Sequence, residues 1–566
     1  LQLVLNGFRA KEFRVSHFAD RLNDCEKDEN IKKAFYAYEK QDEKGFGFSI
    51  GYPLAVKAYE RNLLSDKYLE YFFVDNSDGA GVLTDRREDN KDYLFNTSFA
   101  YPRFREWFLT LISKYVGLEL ERGTLKTPYT DFVCSLNEIY GQDIFLKAIV
   151  KLRGLTLVRS SDGFFFGDKK NDVISKILKI CRPKETETYA DFEEAVKKYE
   201  VTKEELIRAA VYNLNFLDRC AAFLKIPGFK SAVLYFAAHL NETLSDEKIE
   251  KIREYSTIDH LDFKDGAFDF AWYKEMTAAI SPADFKRIYE NAKYITVAGL
   301  HKRAQRFFDA LHGKISIQEA KEKILTTRNK DYCLIYSLIP LRDEKDLQER
   351  YLFFTEFLRE SKKYGAQRQL SERRTVDIAF ENLARNAGYE DTDLFIYEME
   401  SKDLRVIQMY EEGVSAEGYT LKLVLSEGKV KVQIAGQNGK LIQKLPASLA
   451  KNQAAEEILA CRKSEESKRI RLKKLLEQSM EEQKEFSFEQ ICTITRQPLI
   501  RSFFEKLILT DGRSAFVFRE GSILDLQTKS PAQGGKFTIA HPVTLQKTGM
   551  LREAMKYVIA NDIRQP

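Results

Sequence analysis

The chain has little of several things that usually announce a function. Its 566 residues hold seven cysteines, Cys25, Cys134, Cys181, Cys220, Cys333, Cys461 and Cys492, all far apart. No CxxC and no Cys/His ligand spacing occurs, which argues against a structural zinc site. An odd, scattered set of thiols without a signal peptide fits a reducing, cytoplasmic setting. No apolar run approaches the roughly 20 residues that a membrane span needs, so no membrane role is expected. An excess of one charge is also missing: 90 Lys+Arg against 86 Asp+Glu leave a formal net charge of +4. A chain-wide electrostatic case for nucleic acid is therefore absent, and any basic patch must be local.

Histidine is scarce too. His17, His239, His260, His301, His312 and His541 form no HExxH or similar ligand pair. His239 ends the apolar run Leu234–His239 (LYFAAH) and reads as a buried, hydrogen-bonded core residue. His301 lies three residues before Ala304, on the same apolar helix face, and reads the same way. His541-Pro542 follows a strand and suits the start of the next helix. The stretch Gly45–Gly51 (GFGFSIG) is glycine-rich, but a dinucleotide loop needs a strand before it and a helix after it. Gly51-Tyr52-Pro53 makes a poor helix start, so a turn is expected, and there is no Walker lysine pattern. No catalytic residue, cofactor or metal ligand is assigned.

What is present is core-forming material. Hydrophobic residues make up 44% and aromatics 12%, with 40 Phe and 28 Tyr, beside 31% charged residues. That balance describes a globular protein with two to four domains. Helix signals dominate. Thr202 with Glu205, and Ser316 with Glu319, are spaced as capping boxes. Ser281-Pro282 places proline at a first helical position. Ala304, Phe307, Phe308 and Leu311 repeat at one-face spacing. Short amphipathic helices in succession predict a mainly α fold with irregular, α-solenoid-like helix pairs and no strict repeat length.

The C-terminal part adds small antiparallel β-meanders, making it α+β. Tyr419–Leu425, Val430–Ile434 and Leu441–Leu445 predict a three-stranded meander, with Glu427-Gly428 and Asn438-Gly439 at its turns. Ala515–Leu526 predicts a hairpin turning at Glu520-Gly521, with Lys536–Ala540 as a third strand. Between them, Ala454–Lys484 predicts a charged helix that connects the sheets or packs along them. In the first part, Tyr101–Tyr115 and Lys126–Leu152 read as helices and Val82–Tyr93 as a polar loop. The expected divisions are 1–120, a mixed or helical segment; 121–415, a helical repeat region; 416–446, the meander; 447–510, a charged helical region; and 511–566, a hairpin with a terminal helix. The start at Leu1 and the stop at Pro566 suggest a piece of a longer protein.

Two basic clusters stand out locally. One is His301, Lys302, Arg303 and Arg306. The other runs from Arg462 to Lys474 and includes Lys468, Arg469 and Arg471, interleaved with Glu465 and Glu466. The second reads as a solvated helix laced with i,i+4 pairs, without the aromatics that would favour nucleic acid.

The most informative stretch is Lys363–Tyr389 (KYGAQRQLSERRTVDIAFENLARNAGY). Val376, Ala379, Phe380 and Leu383 form an apolar stripe, and Gly388 suits a left-handed helix end. The other face presents Arg373, Asp377, Glu381, Asn382, Arg385 and Asn386. It reads either as a solvated face or as a polar docking surface for a partner.

Leu234–His239, Gly299–Gly313 (GLHKRAQRFFDALHG), Gly365–Tyr389, His541-Pro542 and Ile563–Pro566 together resemble the bacterial domain of unknown function 4132, over about residues 202–566. The namesake of that family is a molybdate metabolism regulator. Some members carry a WGR module; this chain, with only Trp107 and Trp272, has none. The resemblance implies a helical protein with a mixed C-terminal part and a partner of the AAA-type ATPase class, and it carries no catalytic residue. The expectation is a cytoplasmic scaffold or regulatory protein-interaction module. The interaction candidates are Arg373, Asp377, Glu381, Arg385, Asn386, His301, Lys302, Arg303 and His239. Two alternatives stand beside it: a nucleic-acid-associated protein using the basic clusters, and an enzyme with an unrecognised site around His239, His301, Arg385 and Asn386.

Overall fold

The computed structural model describes residues 27–39, 50–75, 77–87, 89–96, 99–159, 167–296, 299–426 and 428–563. The chain divides into two compact units, Leu1–Pro340 and Leu341–Pro566. Helices dominate both, and the strands beyond residue 410 form small antiparallel sheets, so the fold is mainly α with an α+β C-terminal part.

Unit 1 is built from short helices with well-marked starts. Thr202 and Glu205 form the full capping box at Lys203–Tyr212, and Thr188 with Asp191 forms another at Tyr189–Lys198. Ser281 caps Pro282–Asn291 by accepting from Asp284 N–H, and Ser316 accepts from Glu319 N–H at Ile317–Thr327. Phenylalanine fills the spaces between helices. Phe145 and Phe216 stack at 3.8 Å, and Phe73 lies 4.8 Å from Phe108 of another helix. Sequential helices pack on one another, as Gln142–Lys151 does on Lys170–Ile180.

Two local expectations need correction here. The helix read over Lys126–Leu152 is broken into Thr130–Ser135 and Gln142–Lys151. Between them runs β1 (Ile139–Tyr140), which pairs in parallel with β2 (Cys181–Arg182). Gly141 follows at φ +138°, a backbone angle that a side chain resists, and this ends any continuous helix. The second correction concerns Gly51-Tyr52-Pro53. A helix does start there, Tyr52–Glu60, with Gly51 as its cap and Pro53 in its first turn. Proline lacks an N–H, but the first helical positions have no intrahelical use for one. The glycines at 45 and 47 lie outside the described residues.

Unit 2 holds two sheets. The first has four strands, not three: β3 (Val414–Ala416), β4 (Tyr419–Ser426), β5 (Lys429–Ala435) and β6 (Leu441–Ile442), in that order. β3 was missed because three residues are too few to display an alternation. The second sheet has five strands, β7 (Phe486–Ser487), β8 (Ile508–Thr510), β9 (Ala515–Arg519), β10 (Ser522–Asp525) and β11 (Lys536–Ile539), in the order β10-β9-β8-β11-β7. The hairpin at Glu520-Gly521 forms as expected, but β11 pairs with β8 and β7 instead of with the hairpin.

The Gln453–Glu481 helix contacts β3, β4 and β5 of the first sheet and β11 of the second. Its buried Ala455, Ile458, Leu472 and Leu476 join Leu421, Leu423, Phe486, Ile491 and Phe537 in one core. Leu472→Ala is expected to destabilise unit 2 by about 2–4 kcal/mol, since a buried leucine leaves a cavity that its neighbours only partly fill. Urea unfolding measures this; a midpoint equal to wild type would mean that the helix is not what joins the sheets to one core.

Candidate functional site

His239 ends the Phe229–Ala238 helix and is 1% exposed. The rings of Tyr235, Phe263, Phe268, Trp272 and Phe307 surround it at 4.6 to 6.3 Å. Its Nδ1 lies 2.8 Å from Tyr235 O, and the carbonyl can only accept, so Nδ1 carries the proton. Nε2 is then a buried acceptor without a hydrogen-bond partner. Burial lowers its pKa to about 4. His239 is a neutral core residue that packs in an aromatic box.

His301 and Arg303 sit in the first turn of the His301–Leu311 helix, and both are buried. Burial first, then the positive charges of Arg159, Lys302 and Lys293, lower the His301 pKa. Arg303 donates through Nη2 to Phe263 O at 2.9 Å and to Lys264 O at 2.5 Å, the last turn of the His260–Asp265 helix. Its guanidinium also lies 5.7 Å from the Phe307 ring centre. Arg303 therefore shares Phe307 with His239, and both are consumed by packing. Lys302 is exposed, and Arg306 is 3.8 Å from Asp331.

In unit 2 the Ala366–Asn386 helix carries its apolar stripe as expected, and Gly388 takes φ +84°. Its polar face is less uniform than the sequence suggested. Arg373 pairs with Asp377 at 3.2 Å on the exposed side. Arg385 pairs with Glu381 at 3.3 Å, half-buried, while its Nη1 is a buried atom without a hydrogen-bond partner. Asn382 is not on that face at all: it is fully buried. Glu372 is buried as well and pairs with Arg368 at 2.9 Å. Asn386 is half-buried. The face is mostly i,i+4 ion pairs, each contributing little on its own.

The Arg462–Lys474 cluster departs furthest from expectation. Glu465 is fully buried, and its Oε2 accepts from Tyr410 Oη at 3.1 Å and from Gln497 Nε2 at 2.6 Å. Lys468 Nζ lies 2.9 Å from Glu465 and 3.5 Å from Glu400, and Arg471 reaches the same Glu400 at 3.1 Å. Burial works against the Lys468 charge, but Glu400 and Glu465 outweigh it and raise its pKa. Arg469 pairs with Glu466 at 2.8 Å, and Glu466 also accepts from Val430 N–H of β5. The inner side of the cluster, Glu465 and Lys468 with Glu400, is a buried charge network, while Lys463, Arg471 and Lys474 are exposed.

Sequence reasoning missed one cluster in unit 1. Glu138, 2% exposed, accepts from Tyr93 and Tyr140 and pairs with Arg182. Arg182 and Arg86 in turn hold Glu247, at 2.8 and 3.1 Å. Burial, then the Glu138 carboxylate, raises the Tyr93 pKa. These residues are up to 161 positions apart (from Arg86 to Glu247), so no spacing rule could have gathered them. Among the described residues no group of three His, Cys, Asp or Glu side chains is placed to hold a metal. No described helix is long and apolar enough to cross a membrane.

The residues thus define a largely helical protein whose most prominent polar groups are spent on its own interior. The chain belongs to a family of unknown function, DUF5724, which it matches over residues 10–399, more than half its length. Residues 439–566 match a second family, the domain of unknown function DUF4132. The resemblance drawn over residues 202–566 is therefore confined to the last part, and the segments before residue 399 belong to the first family. No curated protein and no solved structure matches the chain.

Three outcomes follow from this geometry. His239 folds with its pKa depressed from 6.5 to about 4. The unfolded chain takes up this proton first as pH falls, so the stability His239 contributes is present above pH 6.5 and is lost on the way to pH 4. The loss amounts to about 3 kcal/mol. Denaturant midpoints across that range should flatten in His239→Gln, and an identical slope would remove the assignment. Lys468→Met should destabilise unit 2 by about 3–5 kcal/mol by leaving the buried Glu465 carboxylate without its cation, while Glu400 keeps Arg471. Arg373→Ala, at an exposed pair, should leave the midpoint unmoved.

Proposed function

We propose that this protein is a scaffold or regulatory protein-interaction module. The observation that carries the reading is the disposition of its cations and histidines. Arg303 is held by helix-end carbonyls, Lys468 and Arg471 by Glu400 and Glu465, and His239 is closed in by five rings. Groups committed in this way stabilise a folded body and are poorly placed to receive phosphate or to move protons. Exposed aliphatic side chains remain on the surface, among them Leu404 at 75%, Ile470 at 62% and Leu441 at 58%.

The solenoid-like stacking of helices, a cytoplasmic bacterial setting and a regulatory role of the molybdate-regulator kind belong to this proposal. So does a partner of the AAA-type ATPase class, as does docking through Arg373, Asp377, Glu381, Arg385 and Asn386. The nucleic-acid reading retains only Lys302 and Arg306 from the first basic cluster, and Arg306 already has Asp331 beside it.

The test is co-purification of the full chain, tagged at native abundance in its own host, followed by mass spectrometry. A partner in fixed proportion is expected. A monomer alone at every salt concentration would remove the reading.

A further inference from the structure

β6 is an edge of the four-stranded sheet. Its register sets Ile442 opposite Ile434 and Leu441 opposite Ala435. Gly436 N–H donates to Lys440 O at 3.0 Å. Pairs along an antiparallel ladder alternate between bonded and non-bonded. Counting from the Gly436–Lys440 bond, the N–H and C=O of Ile442 face β5, and those of Leu441 face outward. The edge therefore offers main-chain groups at Leu441, and its side chains are apolar and exposed: Leu441 58%, Ile442 36% and Leu445 36%.

The surroundings carry an excess of positive charge. Residues 414–445 contain five lysines, two glutamates, and no arginine or aspartate. That excess of three is most of the +4 of the whole chain. Lys440 and Lys444 flank the edge. Lys422, Lys429 and Lys431 alternate with the inward Leu421, Leu423 and Val430, so they share the sheet face that Leu441 occupies. Lys422 Nζ also donates to Glu411 O.

A short edge flanked by lysine is a known way to deter unwanted pairing. That accounts for Lys440 and Lys444. It does not account for the two exposed aliphatic residues set between them. We propose that β6 receives an extended, acidic segment of a protein partner as a fifth strand. Main-chain bonds at Leu441 would hold it, its apolar side chains would cover Leu441 and Leu445, and its carboxylates would face the lysines. Nucleic acid fits less well. Tyr419 is the sole aromatic residue in 414–445, and without arginine there is neither a stacking platform nor a bidentate phosphate clamp.

This inference rests on the interaction-module reading and gives it a surface and a partner chemistry. Its probe is a labelled twelve-residue peptide of alternating Glu and Val, titrated into the full chain and followed by fluorescence anisotropy. A Lys–Val peptide and a twelve-nucleotide single-stranded DNA serve as comparisons. The Glu–Val peptide should bind, and added salt should weaken it. Lys440→Glu with Lys444→Glu should weaken it about tenfold or more, since both charges become repulsive. Leu441→Pro should do the same by removing an outward N–H that β5 does not use. Circular dichroism checks that both variants keep the fold.

Equal binding of the Lys–Val peptide, DNA binding as tight as the Glu–Val peptide, or indifference to the lysine reversals would overturn the proposal. A co-purifying partner that the Lys440→Glu/Lys444→Glu chain still retains would reject this edge and leave the broader reading standing. Absence of any partner for the wild-type chain would reject the broader reading itself.

Discussion

Lys468 stands between two buried carboxylates, Glu465 on its own helix and Glu400 from another, and unit 2 is assembled around that arrangement. Removing three charges from water is unfavourable, and their mutual attraction offsets this only when the geometry is met together. Glu465 meets it with further bonds from Tyr410 and Gln497. Arg471 supports Glu400 from the exposed side. The Gln453–Glu481 helix is thereby held in a fixed rotation, because any other would bury a charge without its partner. That rotation presents Leu472 and Leu476 to the core shared with β7 and β11, and Ala455 and Ile458 to the same core.

Unit 1 follows the same logic with different residues. Glu138 gathers Tyr93, Tyr140 and Arg182 at the short parallel pair β1–β2. Glu119 and Arg122, 2.8 Å apart and both buried, form a second such centre with Thr130. Elsewhere the packing is aromatic, and His239 is admitted to it only as the neutral imidazole. Polar groups that would look catalytic in isolation become structural once their neighbours are seen. On the proposed reading, recognition falls to the lysine-rich sheet of unit 2.

Much of the helix content was legible in the sequence because its signals are local. Thr202 and Glu205 are three residues apart, and so are the cap and its bond in the fold. Gly388 could be assigned its left-handed angle from the end of an apolar stripe. The burial of His239 and His301 was legible from the apolar faces they share. The Glu520-Gly521 hairpin was legible too, since both strands lie within reach of its turn. Most strands shorter than four residues were not, because β1, β2, β3, β7 and β8 are too brief for any period to show; β6 was read through the Asn438-Gly439 turn before it. Nor was the partner of β11, which pairs with β8 about 28 residues earlier and with β7 about 50 earlier.

By itself the sequence determined the mainly helical class, the helix starts after Thr202, Ser281 and Ser316, the left-handed Gly388 and the burial of two histidines. All of these depend on residues within a turn or two of one another. Only the tertiary structure decided what the charges do. The Arg462–Lys474 run has the spacing of a solvated helix, yet Glu400, 68 residues before Lys468, draws that lysine inward. Asn382 is drawn into the core, and Glu138 finds Arg182. Charge and polarity are read from a sequence one residue at a time, whereas the free energy of a buried ion is set by which distant groups arrive beside it.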